Sequence, residues 1–275
     1  MTTDPAPDAT RRRPRTRRTS VQALVLIAVV IGLTGCTNNT FTRLGFPDPV
    51  TKEGTTVVTL WQGSWIAGLA VGVLVWGLIL WAVVFHRKRG DRLPPQVRYN
   101  MPIEIMCTTV PFVLIAILFY YTAKDENYID HLPKNPAVTV NVTGFQWSWQ
   151  FNYPKYNVTM TGNMANPDLP ITPRNQQNLP VLEIPVNETV QFNLTSADVV
   201  HAFWVPEFLF KRDVIPDHPN HFTITTTKTG TFLGHCSELC GVYHSRMLFW
   251  LKIVPQQQFQ QDMQQLQAQH SGSTQ

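Results

Sequence analysis

The chain has 275 residues, 44% of them hydrophobic and only 15% charged, with a formal net charge of +4. That length suits a targeting segment, a membrane anchor and one compact domain. The excess charge lies in residues 1–35, where Arg11, Arg12, Arg13, Arg15, Arg17 and Arg18 outnumber Asp4 and Asp8, so the remainder is neutral and a nucleic-acid partner is excluded.

The arginines precede an apolar run, Val21–Leu33, in the manner of a secretory n-region and its core. The run ends in Leu33-Thr34-Gly35-Cys36, which resembles the lipobox of bacterial lipoproteins. Small residues there admit the extended backbone to a peptidase, and the thiol accepts lipid. Residues 1–35 are therefore read as a signal peptide, Cys36 as the lipidation site, and 36–60 as a short extracytoplasmic segment. An ordinary signal or an uncleaved first helix is the alternative.

Two stretches suit a bilayer. Trp65–Phe85 carries no charge and, at ~1.5 Å per residue, covers about 31 Å. Ile103–Tyr121 carries only Glu104, near its start, and contains Pro111, which a packed membrane helix tolerates. Trp61, Trp65, Tyr120 and Tyr121 mark the ends as interfacial aromatics do. The loop between them, 86–102, is rich in Arg and Lys, and such loops stay in the cytoplasm. A helical hairpin over 61–121 then has both ends outside, the topology that a lipidated Cys36 also needs.

From about Ala137 the pattern changes to short β-type runs: Ala137–Val142, Trp147–Tyr153, Val181–Ile184, Val190–Leu194, His221–Thr226, Gly230–His235 and Leu248–Val254. Runs at this spacing predict a β-sandwich or barrel over 122–255. Residues 154–180, rich in Asn and Pro, read as a long irregular excursion. The Gln-rich tail, 256–275, reads as a helix start that frays. Trp147 and Trp149, two apart in one run, are expected on the same face.

The stretch Cys236–Met247 offers two cysteines, His244 and Met247. A soft set that includes a thioether favours copper over zinc or magnesium. A single blue copper needs one Cys, so two suggest a pair of coppers bridged by both sulfurs. Each copper then needs an imidazole, and the second comes from elsewhere. His201 is the candidate, because an unpartnered ring in its apolar, strand-like setting is costly. A Cys236–Cys240 disulfide is the alternative, and leaves His244 and Met247 unexplained.

These features resemble cytochrome c oxidase subunit II. The resemblance spans roughly Leu60–Val254, through Gly144-Phe145-Gln146-Trp147-Ser148-Trp149, Asp198–Pro206, Asp213-Val214-Ile215-Pro216 and Gly234–Met247. It implies a membrane-anchored all-β protein, a two-helix transmembrane hairpin followed by a cupredoxin-like Greek-key β-sandwich. It implies a binuclear copper (CuA) centre held by His201, Cys236, Cys240, His244, Met247 and the backbone carbonyl of Glu238, with the Glu238 side chain on a magnesium ion at the boundary with subunit I. Trp147 matches the tryptophan that takes up electrons, and Glu104 the glutamate at the mouth of a proton-uptake channel. The sequence departs from the family at His235, where Gln is common, and at Asp217-His218, where Gly-Arg is usual. No ligand is lost.

By the same resemblance, the chain serves an aa3-type oxidase in the bacterial cell membrane. Its partners are subunit I, which carries the haem, other oxidase subunits, membrane lipid, and as donor cytochrome c or a cytochrome c-containing bc complex. Residues after Tyr121 hold 9 basic and 12 acidic side chains, a balance that either steers a basic donor or only solvates the surface. Glu104 also admits a plainer reading, as an interfacial charge reaching water. A stand-alone CuA electron carrier and a copper-binding lipoprotein are the rival functions.

Overall fold

The computed structural model describes residues 42–88, 90 and 96–272. The expected signal peptide, Cys36 and part of the basic loop lie outside the described residues.

Two long helices come first, α1 (Lys52–Phe85) and α2 (Met101–Ile129, with Pro111 inside). Their apolar windows bury nothing within the protein, and helices apolar all round suit lipid. Both extend beyond the apolar stretches read as spans. Helix α1 begins at Lys52, well before Trp65, because Thr51 caps it and its first turns pack on the β domain: Glu53, Gly54 and Val58 are buried. Helix α2 continues past Tyr121 to Ile129. Hydropathy marks the apolar length of a helix, not its hydrogen-bonded length.

The remainder is a sandwich of two five-stranded sheets. The strands are β1 (Val138–Phe145), β2 (Ser148–Tyr153), β3 (Val158–Thr161), β4 (Val181–Pro185) and β5 (Thr189–Ser196), then β6 (His201–Val205), β7 (Phe210–Val214), β8 (Asn220–Thr225), β9 (Gly230–Cys236) and β10 (Leu248–Val254). One sheet runs β3-β2-β1-β5-β8 and the other β4-β10-β9-β6-β7. Each contains one parallel pair, β1 with β5 and β4 with β10, so consecutive strands are not simply hairpins. Strands β1 and β5 alternate buried and half-buried residues, which sends one face of that sheet inward. Trp149, Phe151, Phe192, Phe203, Phe222 and Phe249 fill the space between the sheets. Phe203 stacks on Phe249 at 5.0 Å and Phe192 on Phe222 at 4.7 Å. Each buried ring contributes about 1.5–3 kcal/mol by leaving water, and each such pair about 0.5–1.5 kcal/mol more.

Strands appear in all seven expected stretches, and β3, β6 and β7 add to them. Strands β3 and β7 lie at sheet edges, where one-sided pairing needs little hydrophobic signal. Strand β3 falls within the expected excursion, and the rest of that segment is mostly exposed but pinned at a few buried residues. Ala165 and Leu179 are buried with Leu248 and Trp250. The Gln176 amide holds the segment together: its Oε1 accepts from Asn166 N–H at 2.8 Å, and its Nε2 donates to the carbonyls of Asn166 (2.9 Å) and Leu169 (3.1 Å). The tail likewise differs from a frayed start. It is a helix, α3 (Gln256–Gly272), that buries Phe259 and Met263 in the main core with Leu266 packed against it. That spacing is one helical face.

Candidate metal centre

Strands β6 and β9 pair antiparallel, with Phe203 opposite Cys236, and this sets His201 near the end of β9. The chain leaves β9 at Cys236, loops out through Glu238 and Tyr243, and returns at Met247 to enter β10. Gly234 permits the close pairing beneath: a Cβ there would lie 2.0 Å from Phe249 Cζ.

The loop folds the expected donors together. Cys236 Sγ and Cys240 Sγ face each other at 3.7 Å, far beyond the roughly 2.05 Å of a disulfide. His201 Nδ1 lies 3.8 Å from Cys236 Sγ, and His244 Nδ1 lies 3.5 Å from Cys240 Sγ. The Glu238 carbonyl is 3.3 Å from Cys236 Sγ, and Met247 Sδ is 3.8 Å from Cys240 Sγ. Donor atoms of His201, Cys236 and Cys240 all fall within 4.8 Å of one another. His201 and Met247 are fully buried, Cys236 and Cys240 nearly so, and His244 half-buried. Two thiols, two imidazoles, a thioether and a carbonyl make a soft, mostly dry cage that suits copper better than a hard cation.

Electrostatics separate the two sulfurs. Burial raises the Cys236 thiol, but hydrogen bonding with His201 and with the Ala202 and Glu238 backbone outweighs it and brings the group down to about 7. Burial also raises Cys240, and the neighbouring Cys236 charge adds to this, so it is pushed up to about 12. His201 is pulled down by burial, yet its bonds to Cys236 and Asp198 leave it above the usual imidazole value.

Two neighbours that the sequence reading named only within longer motifs, Asp198 and Gln146, brace the cage. Asp198 Oδ1 lies 2.8 Å from His201 Nε2, which leaves Nδ1 to face the sulfurs. Asp198 also accepts the Gln146 N–H at 2.7 Å and the Val199 N–H at 2.6 Å. Burial would raise this carboxyl, but the bonds from His201, Gln146 and Val199 hold it below its ordinary value. The Gln146 side-chain amide donates to the Cys240 carbonyl at 2.7 Å. Nothing in sequence spacing foretells a bond between residues 146 and 240.

Trp147 donates its Nε1–H to the same carbonyl at 3.2 Å and meets Tyr243 edge-on at 5.0 Å. It stays partly exposed, whereas Trp149 is fully buried. Both rings pack on the main core, as their spacing predicts, and they differ in exposure because Trp147 sits in the turn at 146–147 while Trp149 lies inside β2. Glu238 is exposed, as are Leu239 and Val242 beside it. Glu104 lies apart from this cluster in sequence and element, exposed in the first turn of α2. There its Oε1 accepts the Asn100 N–H at 3.1 Å, while Asn100 Oδ1 accepts from Ile103 N–H at 3.4 Å.

Residues 138–254 match the family described as cytochrome c oxidase subunit II, periplasmic domain. The chain is 49% identical to a probable cytochrome c oxidase subunit 2 of Streptomyces avermitilis, over 94% of this chain and 90% of the relative. It is 38% identical to cytochrome c oxidase subunit 2 of Mycobacterium tuberculosis, over 88% of this chain and 80% of the relative. The crystal structure of the periplasmic domain of cytochrome oxidase subunit II from Bradyrhizobium japonicum is similar at a TM-score of 0.44 and 29% identity, covering 50% of this chain and 99% of that one.

Proposed function

The chain belongs to the cytochrome c oxidase subunit II family, and from that premise we propose that it takes electrons from cytochrome c, free or within a bc complex, at a binuclear copper centre and passes them to haem in subunit I of a proton-pumping, aa3-type oxidase. The observation that carries this reading is the facing pair of sulfurs, each with an imidazole Nδ1 within 3.8 Å.

His201, Cys236, Cys240, His244, Met247 and the Glu238 carbonyl would hold the two coppers. When bound, such a pair supplies one-electron chemistry spread over both metals and both sulfurs, so little need move on each transfer. The protein's task is to keep the donors still and dry. Asp198 fixes the His201 ring, Gln146 and Trp147 fix the Cys240 carbonyl, and the aromatic core closes the cage from below. Trp147, half-exposed and bonded to the loop, is the side chain through which a donor makes electronic contact.

The exposed Glu238 carboxylate suits a magnesium ion shared with subunit I. Glu104 stands at the mouth of the proton-uptake channel, its carboxylate held beside the start of α2. The basic loop lies in the cytoplasm, Cys36 carries lipid on the other side, and the sandwich faces outward with it.

Metal analysis and paramagnetic resonance of the detergent-solubilised chain test the proposal. Two coppers per chain and a hyperfine pattern from one electron shared equally between them are expected. One copper per chain, or a Cys236–Cys240 disulfide in the active oxidase, would overturn it.

A further inference from the structure

The segment just before α1 is built into the β domain. Val50 N–H donates to the Glu207 carbonyl at 3.2 Å, and the Val50 carbonyl accepts from Thr227 N–H at 2.8 Å. Thr51, fully buried, forms a β-bridge with Thr226 and caps α1 through its hydroxyl, which accepts from Gly54 N–H at 2.9 Å. Glu53 completes the joint: only 7% exposed, its Oε2 accepts from Thr225 N–H at 3.0 Å. A Cβ on Gly54 would come within 3.0 Å of the Phe208 carbonyl, so helix and domain are in close contact.

These contacts reach both sheets. Thr225 ends β8, the edge strand of the first sheet, and an edge leaves backbone donors that Glu53 satisfies. Glu207 and Phe208 belong to the turn directly after β6, the strand that begins with His201. Thr226 carries the joint further, its hydroxyl donating to the Pro185 carbonyl at 2.8 Å. The sandwich is also tied to the hairpin covalently, where α2 runs into β1. That end is braced as well, by the ion pair between Asp130, which caps α2, and Arg212 of β7. A second brace, through a buried carboxylate, fixes the domain's orientation.

We infer that Glu53 is a positioning residue for electron transfer out of the copper domain: it clamps the start of α1 to the edge of the sandwich and so holds the ligand strand at a fixed place over the membrane. This deepens the proposed function and rests on it. A carboxylate placed there for helix capping alone would need neither burial nor a bond to a strand about 170 residues away.

The test is a graded series in the assembled oxidase: Glu53→Gln, which keeps an acceptor oxygen, Glu53→Asp, which withdraws it by one methylene, and Glu53→Ala, which removes it. Copper spectra and the KM for donor should stay at wild-type values throughout. Copper-to-haem electron transfer, followed after photoinjection of an electron, should be near wild type in Gln, reduced several-fold in Asp, and reduced on the order of tenfold to a hundredfold in Ala, as small misplacements of reacting groups produce. Amide exchange at residues 50–56 and 225–227 should rise in the same order. Should Ala fail to assemble, Asp decides. Wild-type transfer and exchange in Asp and Ala, or in Asp alone where Ala does not assemble, would overturn the inference. A wild-type protein without the shared-electron copper spectrum would overturn the functional reading instead, and the exchange result would still report on the joint.

Discussion

Trp147 and Cys240 are joined by a 3.2 Å hydrogen bond from the indole N–H to the backbone carbonyl, which links a partly exposed aromatic ring to one of the two paired sulfurs through a single residue. Trp149, two positions on, donates to the Met247 carbonyl at 3.4 Å from a fully buried position. The two tryptophans therefore serve different ends. Trp147→Phe should slow electron uptake from reduced cytochrome c while leaving copper content and melting temperature close to wild type. Trp149→Ala should cost about 3–5 kcal/mol of domain stability, as large core truncations do. Stopped-flow reduction and thermal melting of the two variants separate the roles, and a normal uptake rate in Trp147→Phe would remove that residue from the path.

Asp198 holds His201 from behind, so its loss frees the ring rather than removing a donor. Asp198→Ala should weaken copper retention by about 10–100-fold, the usual cost of losing a group that orients a ligand. Competition with a chelator of known affinity measures this. Unchanged retention would show that β6 alone orients the imidazole.

Gly234 has no room for a side chain, because the Phe249 ring fills the space. Phe249 is itself buried and stacked on Phe203, so it has no free direction to yield. Gly234→Ala should destabilise the sandwich by about 1–3 kcal/mol through overpacking. Since Gly234 lies two residues before Cys236, copper should also be lost at a lower temperature than in wild type. Calorimetry with and without copper gives both numbers.

The docking of α3 should depend on pH. Burial first, then the charge and hydrogen bond of Asp262, push the Glu183 carboxyl up to about 7 from an ordinary 4.5, against the opposing pull of Lys252. Between those values the folded protein keeps a proton that the unfolded chain has released, so stability falls as pH rises through that window. The stabilising effect is complete below 4.5 and gone above about 7. After allowance for solvent screening it amounts to on the order of 1–2 kcal/mol. Melting should thus occur at lower temperature at pH 8 than at pH 5, and Glu183→Gln should flatten that slope. An unchanged slope in the variant would assign the dependence to another group.

Amino-acid order alone brought out the candidate donors Cys236, Cys240, His244 and Met247, because they sit within one short stretch of chain. It also determined the hairpin and most strands, since lipid and a half-buried sheet impose patterns of length and alternation that survive in a linear reading. What tertiary structure decided depends on contacts between distant residues. Trp147, at the turn, keeps part of its ring exposed while Trp149 is enclosed, Gln146 and Asp198 bond to each other and reach the Cys240 carbonyl and the His201 ring, and the 162–180 segment is tied to Trp250 through the Gln176 carbonyl. Glu53 is the extreme case: as a charge in the first turn of a helix it looks ordinary, and only the fold brings Thr225 to it. A local pattern records what a residue needs from solvent and from its near neighbours. Which remote group meets that need is settled when the two sheets close on each other.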